Sequence, residues 1–90
     1  MGQQETAIWI GVDIGNTSIG LAVRREGRTL AAARILSTAR VPDLRRRLAA
    51  CGRDWRSRFP ACAGVLICSV VPALTDLVAQ GLWHGLRIPV

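Results

Sequence analysis

The stretch from Ile8 to Val23 constrains this chain most: two apolar runs joined by a tight polar turn. Ala7 to Val12 is apolar and rich in β-branched residues, as in a strand buried on both faces. Asp13 and Ile14 follow, then Gly15, Asn16, Thr17 and Ser18, and the apolar pattern resumes from Ile19 through Gly20 to Val23. Each turn residue has a physical use. Gly15 suits backbone angles that a Cβ forbids and lets a ligand approach the main chain. Asn16 tolerates left-handed geometry. Successive N–H groups in such a turn form an anion-binding concavity, and Thr17 and Ser18 add hydroxyl donors. Asp13 at the strand end suits a hydrated Mg²⁺, which takes few carboxylates beside phosphate oxygens and waters. The plain alternative is a β-hairpin whose acid faces solvent.

The rest of the chain continues the pattern. Arg24-Arg25-Glu26-Gly27-Arg28 reads as a second hairpin turn. Thr29 to Leu36 reads as a third strand, although Ala31-Ala32-Ala33 locally favours helix. Ser37-Thr38 offers hydroxyl caps to a helix, and Pro42 suits its first turn. Val41, Leu44, Leu48 and Cys51 fall on one face of that helix, which the sequence ends at Gly52. Arg53 to Ala63 reads as a loop or frayed segment, with Trp55 and Phe59 covering the core from a short helical turn. Gly64 to Val71 is a near-continuous apolar run, typical of a central parallel strand. Pro72 opens a second helix with the stripe Leu74, Leu77, Val78 and Leu82. Gly85 breaks it, and Leu86 to Val90 starts a fifth strand. The order is β-β-β-α-β-α-β, a mixed α/β sheet with helices on its faces and a crossover strand parallel to the first. The first turn lies beside that crossover strand, where open α/β sheets bind ligands.

Ninety residues allow one small domain, here a polar leader over 1–6 and the lobe over 7–90. The net charge of +6 comes from twelve basic residues, all of them arginine. They are scattered from Arg24 to Arg87, and Arg45-Arg46-Arg47 cannot all face one way on a helix. A bias in the coding sequence accounts for an all-arginine chain as well as a ligand does, and base-reading motifs are absent, so nucleic-acid binding is not expected. Cys51, Cys62 and Cys68 have neither zinc nor disulfide spacing and read as small core residues of a reducing cytoplasm. His84 has no metal-type partner in sequence. The start lacks a secretory pattern, and no apolar run reaches membrane-spanning length.

Two motifs now meet in one order of elements. Asp13-Ile14-Gly15-Asn16-Thr17 lies in the first turn, and Ser69-Val70-Val71-Pro72-Ala73-Leu74-Thr75 ends the fourth strand, with Arg34-Ile35-Leu36-Ser37-Thr38 between. Together they resemble the N-terminal part of type III pantothenate kinase, of the actin-like, sugar-kinase and Hsp70-like ATPase superfamily. The resemblance implies a ribonuclease-H-like lobe, truncated, in which Asp13, Ile14, Gly15, Asn16, Thr17, Ser18, Ile19 and Gly20 form the first phosphate loop for ATP, with Asp13 near the metal. It implies phosphorylation of pantothenate to 4′-phosphopantothenate, the opening step of coenzyme A synthesis. ATP, Mg²⁺ or another divalent metal, and a monovalent cation such as K⁺ or NH₄⁺ are the implied cofactors. A cytoplasmic homodimer is implied for the full-length family. Two departures stand out: Gly20 follows Thr17 sooner than usual, and Cys68 replaces a frequent Ser. The family's G-x-D-R segment, with the general base, is expected beyond Val90, so no catalytic residue is assigned here and the chain alone is expected to be inactive. The alternatives are a Bvg accessory factor-like transcriptional regulator of the same fold and a nucleotide-binding lobe of another superfamily kinase.

Overall fold

The structure is a computed structural model and describes residues 7–87. Three strands come first: β1 (Ile8–Ile14), β2 (Ser18–Arg25) and β3 (Arg28–Leu36). Helix α1 (Val41–Arg58), strand β4 (Cys62–Ser69) and helix α2 (Pro72–Leu86) complete the order. The sheet runs β3-β2-β1-β4, with β1–β2 and β2–β3 antiparallel and β1–β4 parallel. The meander and the parallel crossover are therefore those the sequence implies. The second hairpin closes through Glu26 at φ 52° and Gly27 at φ 76°, the two positive angles that match the twist of antiparallel strands.

One core is formed between the sheet and both helices. Ile10, Val12 and Ile14 on β1, Ile19, Leu21 and Val23 on β2, Ile35 on β3 and Val65 on β4 pack with Leu44, Leu48 and Trp55 of α1 and with Val78, Leu82 and Leu86 of α2. The strict alternation along β1 and β2 puts these side chains on one face. Two expectations are corrected here. The strands are buried on one face, with both helices on that side. Strand β4, expected in the centre, has β1 as its only neighbour among the described residues, and its Leu66 is 65% exposed.

The helices also differ from the sequence reading, and the cause is close packing. Helix α1 does not end at Gly52; it continues through Trp55 to Arg58 and stops before Pro60. A Cβ on Gly52 would lie 3.0 Å from the Leu82 carbonyl oxygen and 3.1 Å from the Gly85 Cα. Gly85 likewise sits inside α2, where a Cβ would meet Arg53 N at 2.7 Å and Gly52 Cα at 2.8 Å. These glycines are where two helix backbones touch, not where helices stop. Their helix-propensity cost of about 1 kcal/mol each is offset by the burial that the short crossing distance permits. Leu86 is consequently helical and buried, and α2 ends on Arg87 in the left-handed region at φ 60°, its N–H donating to the Trp83 carbonyl at 2.9 Å. The rest of the expected fifth strand, and the leader over 1–6, lie outside the described residues.

Two smaller corrections follow. Ser37 and Thr38 do not cap α1; Arg40 stands at the N-cap with no side-chain hydrogen bond, and Pro42 takes the first turn as expected. Val41, at the first helical position, is exposed, while Leu44 and Leu48 are buried as the spacing implies.

Candidate nucleotide site

The face of the sheet away from the helices is bare, and the polar turn opens at its end. Gly15, Asn16 and Thr17 connect β1 to β2. The Gly15 N–H donates to the Ser18 carbonyl at 3.0 Å, which makes the turn tight. Neither Gly15 nor Asn16 takes a positive φ, contrary to the backbone role first given to them. What Gly15 provides is room: a Cβ there would press on the Ser18 carbonyl oxygen at 3.2 Å.

The turn is braced from β3. The Ser37 hydroxyl donates to the Gly15 carbonyl at 2.7 Å, and the Ser37 N–H donates to the Thr17 carbonyl at 2.9 Å. With these main-chain groups fixed, the exposed Asn16 and Thr17 stand at the tip. The second motif arrives beside the first. The Val70 N–H donates to the Ile14 carbonyl at 3.0 Å, and the Ser69 hydroxyl accepts from the Val71 N–H at 3.0 Å. Segments more than fifty residues apart in sequence thus form one wall.

The eight residues assigned to the loop divide by face. Ile14 and Ile19 point into the core and are fully buried, so only their main chain is available to a ligand. Asp13 is exposed on the open face. Its register partners are Gly20 on β2 and Cys68 on β4, and Gly20 in turn pairs with Arg34 on β3. Cys68, Asp13, Gly20 and Arg34 therefore form one row across all four strands. The next row is Leu66, Gly11, Ala22 and Ala32. These two rows floor an open trough of about 930 Å³, within the size of ligand sites, roughly 300–1,000 Å³. A Cβ on Gly11 or Gly20 would meet nothing within 4 Å; both positions leave space above the sheet that any other residue would fill.

Asp13 is the one carboxylate lining this trough. The other described acids lie elsewhere. Asp43 and Asp54 are paired with Arg46 and Arg58 on α1, across the sheet. No group of three or more metal-type side chains gathers among the described residues. A single exposed carboxylate beside open space fits Mg²⁺, which keeps several waters and takes one or two carboxylates plus substrate phosphates. It does not fit a metal held by protein alone. Arg34, to which the sequence reading gave no role of its own, lines the same trough, and its Nη1 donates to the Ser18 hydroxyl at 2.7 Å. Only strand register reveals it, since sixteen residues separate the pair.

The cysteines stay free. Burial, with the nearby Asp54 carboxylate, pushes the Cys51 thiol up from 9.0 to about 11. Burial also raises Cys62, against the lowering effect of backbone hydrogen bonds. Cys68 is exposed at the edge of the trough. Among the described residues no helix is long and apolar enough to cross a membrane.

Comparison with solved structures places the lobe in a fold class. It is similar to RuvC of T. thermophilus, solved with a Holliday-junction substrate, at 20% identity and a TM-score of 0.59, over 90% of this chain and 56% of that one. It is also similar to a protein from Cytophaga hutchinsonii described as a sugar kinase, at 15% identity and a TM-score of 0.51, over 87% of this chain and 34% of the other. The fold is a ribonuclease-H-like α/β lobe of the kind sugar kinases contain, and the chain spans little more than half of the first neighbour and a third of the second. The particular family is then given by sequence: a model for type III pantothenate kinase matches residues 9–89, and the chain belongs to that family. No curated protein matches significantly.

Proposed function

We propose that this lobe provides the phosphate-binding side of an ATP-dependent kinase that converts pantothenate to 4′-phosphopantothenate. The observation that carries the reading is Asp13 on the bare face, at the end of β1, beside a turn braced by Ser37, in a chain of this family. In the reaction the pantothenate hydroxyl oxygen forms a bond to the γ-phosphorus of ATP. The bond to the β,γ-bridging oxygen breaks, ADP leaves with that electron pair, and the hydroxyl proton passes to a base. Asp13 would hold the divalent metal, and Gly15 to Ser18 would hold phosphate oxygens. The metal, when bound, would supply charge neutralisation on the phosphates, which together with positioning is what catalysis of phosphoryl transfer requires. A monovalent cation such as K⁺, a homodimeric assembly and a cytoplasmic setting belong to the same reading.

One carboxylate cannot serve as both metal ligand and base. The trough holds no second acid among the described residues, so residues 1–90 alone are expected to bind nucleotide without turning over pantothenate. Calorimetric titration with ATP and Mg²⁺ tests the binding half. Asp13→Ala is expected to lose the Mg²⁺-dependent part of the affinity, about tenfold for roughly 1.4 kcal/mol. Equal binding by both proteins removes Asp13 from the site. Formation of 4′-phosphopantothenate by the 90-residue chain would overturn the argument for a second acid.

A further inference from the structure

We infer that Arg34 is an anion-binding residue of this site and holds a phosphate group above Gly20, opposite the cation held by Asp13. The inference rests on the nucleotide reading above and adds to it a residue that lies outside the phosphate turn.

The register makes the case. Asp13 pairs with Gly20, and Gly20 pairs with Arg34. Neighbouring strands lie about 4.8 Å apart, so the acid and the guanidinium start from backbones roughly 10 Å apart on the same face. Between them Gly20 contributes no side chain, and nothing lies within 4 Å of where its Cβ would be. A negative and a positive side chain thus flank an empty position. A metal-bound phosphate has the matching polarity: its cation faces the carboxylate and its free oxygens face the guanidinium.

Two arginines line the trough, Arg24 and Arg34, and their commitments differ. Arg46 and Arg58 are spent on Asp43 and Asp54. Arg24 closes its own hairpin by donating to the Thr29 hydroxyl and the Gly27 carbonyl. Arg87 lies over the Trp83 ring at 4.8 Å. Arg34 donates one bond, to the Ser18 hydroxyl, a neutral acceptor that orients it towards the turn. A guanidinium has five N–H donors, and its planar fork matches phosphate oxygens in pairs. Ser18 therefore acts as a tether that holds the fork near the phosphates and leaves most donors free.

Inorganic tripolyphosphate with Mg²⁺ is the probe that separates this claim from the nucleotide reading, because it lacks the nucleoside. Wild-type chain is expected to bind it, Arg34→Gln to bind at least tenfold more weakly, and Arg34→Lys to recover part of the loss. Gly20→Val is expected to abolish binding while holding or raising Tm, since the new side chain enters open space in a strand. Wild-type binding that is absent, or unchanged in Arg34→Gln, overturns the role of Arg34. If Mg²⁺-ATP still binds through Asp13 in that case, the nucleotide reading stands while this inference falls. A fall in Tm for Arg34→Gln that matches the loss of binding, with Gly20→Val binding normally, would show a hairpin pin and overturn the inference as well.

Discussion

The two faces of the sheet are made by the same strands with opposite residue choices. On the helix side, β1 and β2 present Ile10, Val12, Ile14, Ile19, Leu21 and Val23, all buried. On the other side the same strands present Gly11, Asp13, Gly20 and Ala22. The first face is filled to exclude water; the second is kept low between Trp9 and the turn. Glycine makes the same contrast sharper. Gly52 and Gly85 are small because another backbone occupies the space, whereas Gly11 and Gly20 are small with nothing above them. Small residues in contact are explained by packing. Small residues beside open space, flanked by an acid and an arginine, are not explained by packing, and they leave the room that the proposed ligand would need.

The comparison can be broken by substitution. The largest effect is expected in the core. Leu48→Ala removes a fully buried side chain between α1 and α2, and denaturant unfolding should show a loss of about 2–5 kcal/mol. Gly85→Ala comes next. Helix propensity alone would favour it by up to about 1 kcal/mol, but its Cβ would enter the α1 backbone, and overpacking of this kind costs about 1–3 kcal/mol. A net loss of stability is expected, and a rise in Tm would show that the helices do not cross there. Gly11→Ala is the counterpart on the open face, with no atom in its way; its stability should change by no more than about 0.5 kcal/mol.

The smallest effect is electrostatic and concerns the thiols. Cys51 has its folded pKa raised from 9.0 to about 11, so the native state favours the neutral thiol. The associated stability is fully present below pH 9.0 and is lost as pH rises towards about 11. Cys51→Ala should flatten that part of the pH–stability curve. In native protein near pH 8, iodoacetamide should label the exposed Cys68 well before Cys51. Equal rates would place Cys51 outside the core.

Much of the fold was legible in local pattern. The two apolar runs between Ile8 and Val23, with the polar turn between them, mark both strands, though not that only one face of each is buried. The Glu26-Gly27 turn and the prolines at the starts of α1 and α2 are equally local signals. The ends of the helices were not legible, because Gly52 and Gly85 carry the signature of a stop and only the partner helix shows their use. The depth of the sheet was also hidden. The run from Gly64 to Val71 is apolar enough for a central strand, yet which strands flank it depends on the whole chain. Of the site, Asp13 and the turn could be found in sequence. Ser37 and Arg34 stand in the segment that the resemblance includes, but their contacts with the turn could not be read: a hydroxyl before a helix looks like a cap, and an arginine looks like surface charge, until register brings both there.

The sequence by itself determined the strand–turn–strand unit, the position of its acid and the family motifs, because each depends on residues within a few positions of one another. The tertiary structure decided which face stays bare, why two glycines lie inside helices, and that Cys68, Asp13, Gly20 and Arg34 stand in one row. Those facts depend on hydrogen-bonded register between distant strands and on how closely two helix backbones approach, and neither quantity is encoded by any single segment.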